Sequence, residues 1–364
     1  MKKRLKNGIL ARIFVLMLAV ILILSSSGLR FFVVDEISEL YGAFIGKKSE
    51  YNGVIELWNI DSFEAGTGSK YSYLERCASG FQKQNKGVYV VIRNLSESEC
   101  LNLINAGVFP DLISCSYGVS DKFKNLFSAY SKNELEINQK LIKAGSDQSG
   151  ELLGLAWCLG YYFLISTKTK LEHVKNLTDE FKLNEIAFEC GYEYKIGKKL
   201  KKSVSLCFGT GDYLMPKNAL LAYNKARSIQ IESVAQSERV SKSQYSAYTS
   251  FLANDATILL GTQRDVWRIS SREEKGKVSD IYYLPLTNWT DLVQYVFVLK
   301  TSEGDRRVCA ENFAFSLVSK NNQKGIEDIG MIPVNLINET SYRGVMRDIV
   351  LDNFSDLELN PLFE

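Results

Sequence analysis

The chain has a single histidine, His173, among its 364 residues. His173 stands in a charged stretch, so a catalytic triad built on histidine and a metal site with several histidines are both disfavoured. The glycine-rich segment GTGD (209–212) lacks the Lys-Ser/Thr of a phosphate-binding loop and the third glycine of a dinucleotide fingerprint. Neither a cofactor nor a metal is predicted, and the chain is not expected to be an enzyme.

Cysteines are few and scattered, with no Cys-x-x-Cys pair and no spacing that suits zinc. The seven are Cys77, Cys100, Cys115, Cys158, Cys190, Cys207 and Cys309. An odd number cannot pair completely, so most are predicted to be small buried hydrophobic residues. One or two disulfides remain an alternative if the protein lies outside the cell.

The chain has no basic surplus beyond its first residues. Six basic residues, five of them within the first 12 positions and the last of them Arg30, precede the first acidic residue, Asp35, and the rest of the chain is slightly acidic. A nucleic-acid-binding protein normally shows a basic stripe or surplus, so no nucleic-acid partner is predicted.

The N-terminal segment has the three parts of a secretory signal: basic residues, the apolar run IFVLMLAVILIL (13–24) and the small residues SSSG (25–28). The run of 12 apolar residues is shorter than the roughly 20 that span a bilayer, although FFVV (31–34) extends it. We therefore expect residues 1–28 to be a signal peptide or an N-terminal membrane anchor, and 29–52 a stalk. The sequence does not decide between cleavage and retention of this leader.

Strand and helix patterns alternate after this stalk. GVIELWN (53–59), VYVVIRN (88–94) and FPDLIS (109–114) are predicted strands, and 73–85 and 96–107 are predicted helices. This order predicts a parallel sheet whose strand ends open onto a ligand crevice. A chain of this length normally forms two domains.

The second half continues the alternation. LLGLAWCLGYYFLIS (152–166) contains Gly154 and Gly160, so two short segments fit it better than one helix. Further predicted strands are 203–209, 256–262, 280–286 and 295–300, and further predicted helices are 217–227, 246–254, 264–272 and 306–320. The fold class is therefore α/β.

Several phrases of the chain, taken in order, resemble the bacterial extracellular solute-binding proteins (family 1, carbohydrate type) of ABC transporters. They include LWN, FQKQNKGVYV, NAGVFPDLI, FLANDATILLGTQRDVWRI and DIYYLPL, and together cover about residues 53–335. The resemblance implies a two-lobe periplasmic-binding-protein-like (type II) fold with a ligand cleft between the lobes. The first lobe would comprise 53–155 plus 287–320, and the second 156–286 plus 321–364.

The resemblance also implies a function. The protein would bind a carbohydrate or related polar solute at the extracellular face of the cytoplasmic membrane, held there by a retained anchor or secreted after cleavage, and deliver the solute to an ABC permease. A monomer is expected. The chain departs from the family because no cysteine for lipidation follows the apolar run, and because its middle, 171–245, is short and lysine-rich. An anchored receptor coupled to a signalling partner, and a glycan-active enzyme with two carboxylates, are the alternatives.

The candidate ligand-binding residues lie where the resemblance places the cleft edges. Aromatic rings stack on the apolar faces of sugars, and polar side chains bind the hydroxyl groups. The aromatic candidates are Trp58, Trp157, Trp267, Trp289, Tyr117 and Tyr161, and the polar candidates are Asn59, Asp61, Ser114, Gln263 and Arg264. Core packing is the alternative for each aromatic residue. Trp157→Ala is predicted to weaken binding more than stability, and Asp111 is interpreted as a turn-forming residue in preference to a catalytic acid.

Overall fold

The structure is a computed structural model that describes residues 51–131, 135–167, 186–188, 192–194, 205–209, 211, 213–226, 243–256, 258–285, 288–335 and 356–363. The predicted leader, the stalk up to residue 50 and most of the lysine-rich middle lie outside these residues. Within them, no helix has both the length and the apolar character needed to cross a bilayer.

The first lobe is built on a six-stranded sheet. Its strands are β1 (Gly53–Ile60), β2 (Val88–Leu95), β3 (Leu112–Ser116), β4 (Phe127–Ser128), β5 (Gly154–Leu159) and β12 (Val293–Leu299). The order is β2-β1-β3-β12-β4, and β5 also pairs with β12. Strands β1, β2 and β3 are parallel, whereas β12 runs antiparallel to its partners. The helices of this lobe are α1 (Lys70–Gln84), α2 (Glu97–Asn105), α3 (Gln139–Gly145), α7 (Gly304–Leu317) and α8 (Lys320–Lys324).

The second lobe has its own sheet. Its strands are β6 (Tyr162–Thr167), β7 (Ile186–Phe188), β8 (Tyr192–Tyr194), β9 (Ser205–Phe208), β10 (Ile258–Thr262) and β11 (Ile281–Pro285), in the order β11-β6-β10-β9-β8-β7. The helices are α4 (Pro216–Ala226), α5 (Gln244–Leu252) and α6 (Gln263–Glu274). The predicted α/β fold of two lobes is confirmed, and so is the division of 152–166 into two strands.

Local sequence signals explain why these helices begin where they do. Ser69 caps α1 by accepting a hydrogen bond from the amide of Ser72, and Ser96 and Glu99 form a reciprocal capping box at α2. Thr262 and Asp265 form a second capping box at α6. Because Thr262 is also the last residue of β10, the strand passes into the helix without a loop and the start of α6 is fixed beside the lobe crossing.

The chain crosses between lobes at Gly160 and Tyr161, the two residues between β5 and β6. Gly160 donates its amide hydrogen to the Leu292 carbonyl oxygen at 2.6 Å, and the Thr290 hydroxyl donates to the Gly160 carbonyl oxygen at 2.9 Å. The backbone of Ile332 pairs with that of Leu159. Three chain segments are therefore hydrogen-bonded side by side where the lobes meet.

Two features of the lobe division differ from the predicted boundaries. The first sheet continues to Leu159, beyond the boundary expected at 155, because the whole of β5 pairs with β12. The segment that follows α7 packs on the first lobe: the Gln323 amide nitrogen donates to the Trp157 carbonyl oxygen at 3.0 Å.

The described cysteines are thiols in the interior, with no disulfide among them. They are Cys77, Cys100, Cys115, Cys158, Cys207 and Cys309, and Cys190 lies outside the described residues. Burial raises the pKa of the Cys77 thiol to about 11 and that of Cys158 to about 12. Their prediction as small buried residues is confirmed for these six.

Candidate functional site

Polar side chains lie at the carboxyl ends of β1 and β3, joined by Gln294 of β12. The Gln294 amide nitrogen donates to the Ser114 hydroxyl at 3.0 Å, to the Ile60 carbonyl oxygen at 3.1 Å and to the Asn59 side-chain oxygen at 3.4 Å. Asn59, Ser114 and Gln294 are fully buried. The structure thus brings two predicted polar candidates together, but within the first lobe, where they tie three strands to one another.

Lys70 connects this polar cluster to Asp61. Its buried ammonium group donates to the Phe63 carbonyl oxygen at 2.6 Å and to the Gln294 side-chain oxygen at 3.1 Å, and it pairs with Asp61 at 2.7 Å. Burial lowers the pKa of Lys70, and the Asp61 carboxylate counteracts part of that effect. Asp61 is partly exposed, so Lys70 holds this carboxylate at the surface of the first lobe.

Trp58 and Trp157 are fully buried in the first lobe. The Trp58 indole donates to the Glu56 carboxylate at 2.9 Å, and the Trp157 indole donates to the Ser114 hydroxyl at 3.2 Å. The Trp157 ring is stacked on the Tyr73 ring, with centroids 5.3 Å apart and planes inclined by 2°. For these two tryptophans the structure favours the packing alternative.

Trp289 belongs to the return crossing. Its ring lies parallel to that of Tyr162 at 6.2 Å, and its indole donates to the Asn360 side-chain oxygen at 3.3 Å. The backbone of Trp289 also pairs with that of Glu358. These contacts place Trp289 between the crossing and the C-terminal segment.

The start of α6 in the second lobe brings Gln263, Arg264 and Trp267 onto the loop between β1 and α1. The Gln263 side chain accepts from the Tyr161 amide at 3.1 Å and donates to the Glu64 carbonyl oxygen at 3.0 Å. Arg264 donates to the Ala65 carbonyl oxygen at 3.0 Å. These three candidates therefore contact the first lobe directly, with Gln263 fully buried at the crossing.

Trp267 packs against the backbone of two glycines of the first lobe. A methyl group added to Gly66 would lie 2.2 Å from Trp267 Cδ1, and one added to Gly330 would lie 2.6 Å from Trp267 Nε1. The indole N–H is buried and has no hydrogen-bond partner within the described part of the chain. An unpartnered buried donor is costly, which makes this N–H a candidate donor to a hydroxyl or carbonyl group of a ligand.

Tyr117 faces a second-lobe residue that the sequence did not single out, Tyr213. The two rings meet edge to face, with centroids 6.0 Å apart and planes inclined by 72°. Tyr213 also lies against Gly118, where an added methyl group would be 2.8 Å from the tyrosine ring. Beside this pair, the hydroxyl groups of Ser62 and Ser116 are hydrogen-bonded. The only sequence signal for Tyr213 was the turn-like segment TGDYLMP that contains it.

Asp291 fixes the loop that carries Tyr213. Its carboxylate accepts from the Tyr162 hydroxyl at 2.5 Å and from the Leu214 amide at 2.9 Å. Leu214 has a φ of 57°, so this loop adopts a backbone conformation that a leucine rarely takes. Burial raises the pKa of Asp291, whereas the hydrogen bonds that its carboxylate accepts lower that pKa.

Tyr161 lies on the first crossing with its side chain buried. Its hydroxyl has no hydrogen-bond partner among the residues described, and burial raises its pKa. Its ring lies 6.0 Å from that of Phe163.

All but one of the predicted candidates thus fall into two groups. One makes contacts across the lobes (Tyr117, Gln263, Arg264 and Trp267), and the other lies in the interior or along the crossings (Trp58, Asn59, Ser114, Trp157, Tyr161 and Trp289). Asp61, at the partly exposed surface of the first lobe, belongs to neither group.

No group of three or more acidic, histidine or cysteine side chains in the described ranges is arranged to hold a metal ion.

Asp111 is buried directly before β3, at the end of this strand opposite Ser116. It pairs with Arg306, and its side chain also accepts from the Glu56 amide at 2.9 Å and from the Ser302 hydroxyl at 2.9 Å. These contacts give Asp111 a structural role: it ties the start of β3 to β1 and to the start of α7, instead of forming a turn beside a ligand cleft.

Comparison with solved structures identifies the fold. An ABC substrate-binding protein of Listeria monocytogenes, solved with cycloalternan, matches with a TM-score of 0.53 and 13% identity over 85% of this chain and 89% of the other. The GacH receptor of Streptomyces glaucescens, solved in unliganded form and with acarbose, matches with a TM-score of 0.54 and 11% identity over 86% and 89%. The chain has the fold of ABC solute-binding proteins. No protein-family model and no curated protein matches it.

An enzyme shares this fold. Thiaminase I of Bacillus thiaminolyticus matches with a TM-score of 0.54 and 11% identity over 86% of this chain and 93% of the enzyme. The predicted periplasmic-binding-protein-like fold is therefore confirmed, but at these identities the likeness concerns the fold alone.

Proposed function

We propose that the chain is the extracellular solute-binding protein of an ABC importer. It captures a carbohydrate or related polar solute between its lobes and delivers it to a membrane permease. The observation that carries this proposal is the contact of aromatic rings with the opposite lobe: Tyr117, at the carboxyl end of β3, meets Tyr213, and Trp267 packs against Gly66. Aromatic rings beside polar groups are suited to sugars.

The solved structures that share the fold support the same ligand class. The Listeria monocytogenes protein was solved with cycloalternan and the Streptomyces glaucescens receptor with acarbose. Export is part of the proposal, because the basic and apolar N-terminal residues have the form of a leader. The protein acts as a monomer and performs no reaction on its solute.

The test is a thermal-shift screen of the purified protein against panels of sugars, oligosaccharides, amino acids and polyamines. A solute that binds the folded state raises the melting temperature by mass action. A shift with one group of sugars supports the proposal, and a response confined to the other panels would overturn the carbohydrate class. Incubation of each responding sugar with the protein, followed by chromatography, distinguishes binding from turnover.

A further inference from the structure

The loop after β1 and helix α6 are joined across the lobes by a shared carboxylate. Glu64 of the first lobe lies 3.1 Å from an Arg268 guanidinium nitrogen and 3.3 Å from Arg264 Nε, both of the second lobe. One acidic side chain thus pairs with two arginines that lie one helical turn apart, so its negative charge attracts both.

Backbone contacts strengthen the same junction. The Glu64 carbonyl oxygen accepts from the Gln263 side chain at 3.0 Å, and the Ala65 carbonyl oxygen accepts from Arg264 at 3.0 Å. Trp267, on the same helix, covers the adjacent Gly66. All of these contacts join the two lobes, so they are lost when the lobes separate.

Arg268 is held in place by its own lobe. Its guanidinium group lies over the rings of Tyr245 and Tyr248, at 5.7 Å and 5.4 Å, and 3.8 Å from the Asp265 carboxylate. A guanidinium group that is already oriented loses less side-chain entropy when it pairs. The Glu64 side chain is 61% exposed, so it is this orientation of Arg268 that distinguishes the junction from an ion pair between two freely rotating surface side chains.

We propose that Glu64, Arg264 and Arg268 form a latch that stabilises the closed arrangement of the lobes whether or not a solute is bound. The latch consists of contacts made by this chain alone, so its stabilising effect requires no ligand. It goes beyond the proposed function, in which the solute itself favours closure through contacts with both lobes. In a sample of latched protein, a fraction of the molecules is therefore already closed before a solute binds.

Single-molecule energy transfer on the full-length protein tests the latch. Lys83→Cys in the first lobe and Lys277→Cys in the second provide label sites, because both lysines are exposed whereas the described native cysteines are buried. Without added solute and at about 50 mM salt, we expect a high-transfer closed population. The Debye length shortens from about 10 Å at 0.1 M salt to about 3 Å at 1 M, so raising the salt lowers that population.

The decisive variant is Glu64→Gln, which removes the charge and retains the size of the side chain. We expect the ratio of closed to open molecules to fall about two- to tenfold at low salt, and its salt dependence to diminish. Glu97→Gln is the matched control, because it removes an exposed ion pair with Lys122 that lies within the first lobe. This control keeps the closed population of the parent protein.

Three outcomes would overturn the latch: an open parent protein at low salt, a Glu64→Gln variant identical to the parent, or an equal effect of Glu97→Gln. None of these depends on a solute. The solute screen is therefore independent of this test. Together, the two experiments distinguish a protein that binds sugars without the latch from one that has the latch but does not bind sugars.

Discussion

Arg306 holds Asp111 through a bidentate ion pair, with Nε–Oδ1 and Nη2–Oδ2 distances of 2.6 Å and 2.8 Å. Arg306 lies in the first turns of α7, and Asp111 immediately precedes β3. The pair connects two elements separated by 195 positions in the chain. Because the Asp111 side chain also accepts from the Glu56 amide, it fixes the start of β3 against β1.

Removing the Asp111 charge is expected to destabilise the first lobe. Asp111→Asn loses the bidentate geometry and leaves Arg306 without its partner, so we expect the free energy of unfolding to fall by about 3 kcal/mol. Urea denaturation followed by tryptophan fluorescence measures this change. Arg76→Gln is the matched control, because it breaks an exposed pair with Asp328, and we expect it to cost less than about 1 kcal/mol. Equal losses in the two variants would contradict the assigned role of Asp111.

The sequence predicted the elements better than it predicted the orientation of side chains. Alternating patterns identified the strands and helices of the first lobe, and the glycines of LLGLAWCLGYYFLIS marked the crossing, because these signals are local. Lys70 carried no such signal. Its partner Gln294 lies 224 positions away, and a lysine on a helix normally points to solvent. The aromatic residue near the end of β1, Trp58, is fully buried in the first lobe, where its indole donates to Glu56, and no local pattern distinguished this burial from a position at the cleft.

Trp157→Ala is now expected to act mainly on stability, the reverse of the expectation drawn from the sequence. The variant removes a fully buried ring that stacks on Tyr73 and leaves the Ser114 hydroxyl without the indole donor. Truncation of such a residue costs about 3–5 kcal/mol. Denaturant unfolding gives the stability, and calorimetric titration of the folded fraction with a responding sugar gives the affinity. A large loss of affinity with little loss of stability would return Trp157 to the ligand site.

Tyr213→Ala is expected to weaken solute binding with little effect on folding, because the ring is half exposed and its described ring contact is with Tyr117 of the opposite lobe. We expect the affinity for a responding sugar to fall about tenfold, which corresponds to about 1.4 kcal/mol. Tyr89→Ala is the matched control, since this tyrosine, somewhat more exposed than Tyr213, lies on the edge strand β2. If both variants bind like the parent protein, Tyr213 lies outside the ligand site.

The buried carboxyl group of Asp265 predicts a specific pH dependence. Burial is the largest cause that raises its pKa from 3.8 to about 6, against hydrogen bonds from the Thr262 amide and Gln244. Between about pH 4 and pH 6 the unfolded chain has released this proton while the folded chain retains it. The contribution of Asp265 to stability therefore falls as the pH rises through this window, by about 3 kcal/mol in total.

Asp265→Asn removes that titration while keeping one side-chain oxygen that can accept from the Thr262 amide. We expect the stability of the parent protein relative to the variant to decrease between pH 4 and pH 6 and to change little above pH 7. Urea unfolding at unit pH intervals measures both proteins. Parallel curves would show that Asp265 titrates in the folded protein as it does in the unfolded chain.

Gly66→Ala tests how closely the lobes approach each other. The backbone of Gly66 lies outside the left-handed region, so an alanine is tolerated there as far as φ is concerned. The added methyl group would lie 2.2 Å from Trp267 Cδ1 of the second lobe, which has to move away, and 2.4 Å from the Gly330 carbonyl oxygen, so the backbone within the first lobe has to shift as well. We expect a smaller closed population in the energy-transfer measurement and at least about a tenfold loss of affinity for a responding sugar.

Gly80→Ala provides the matched control for this substitution. Gly80 lies within α1, and an added methyl group meets no atom within 4 Å. Alanine is favoured over glycine in a helix, so this variant should unfold at slightly higher urea concentration and close like the parent protein. Closure and affinity of Gly66→Ala equal to those of Gly80→Ala would mean that Trp267 does not approach Gly66 in the solute-bound protein. Contact between α6 and the loop after β1 would then have no part in capture.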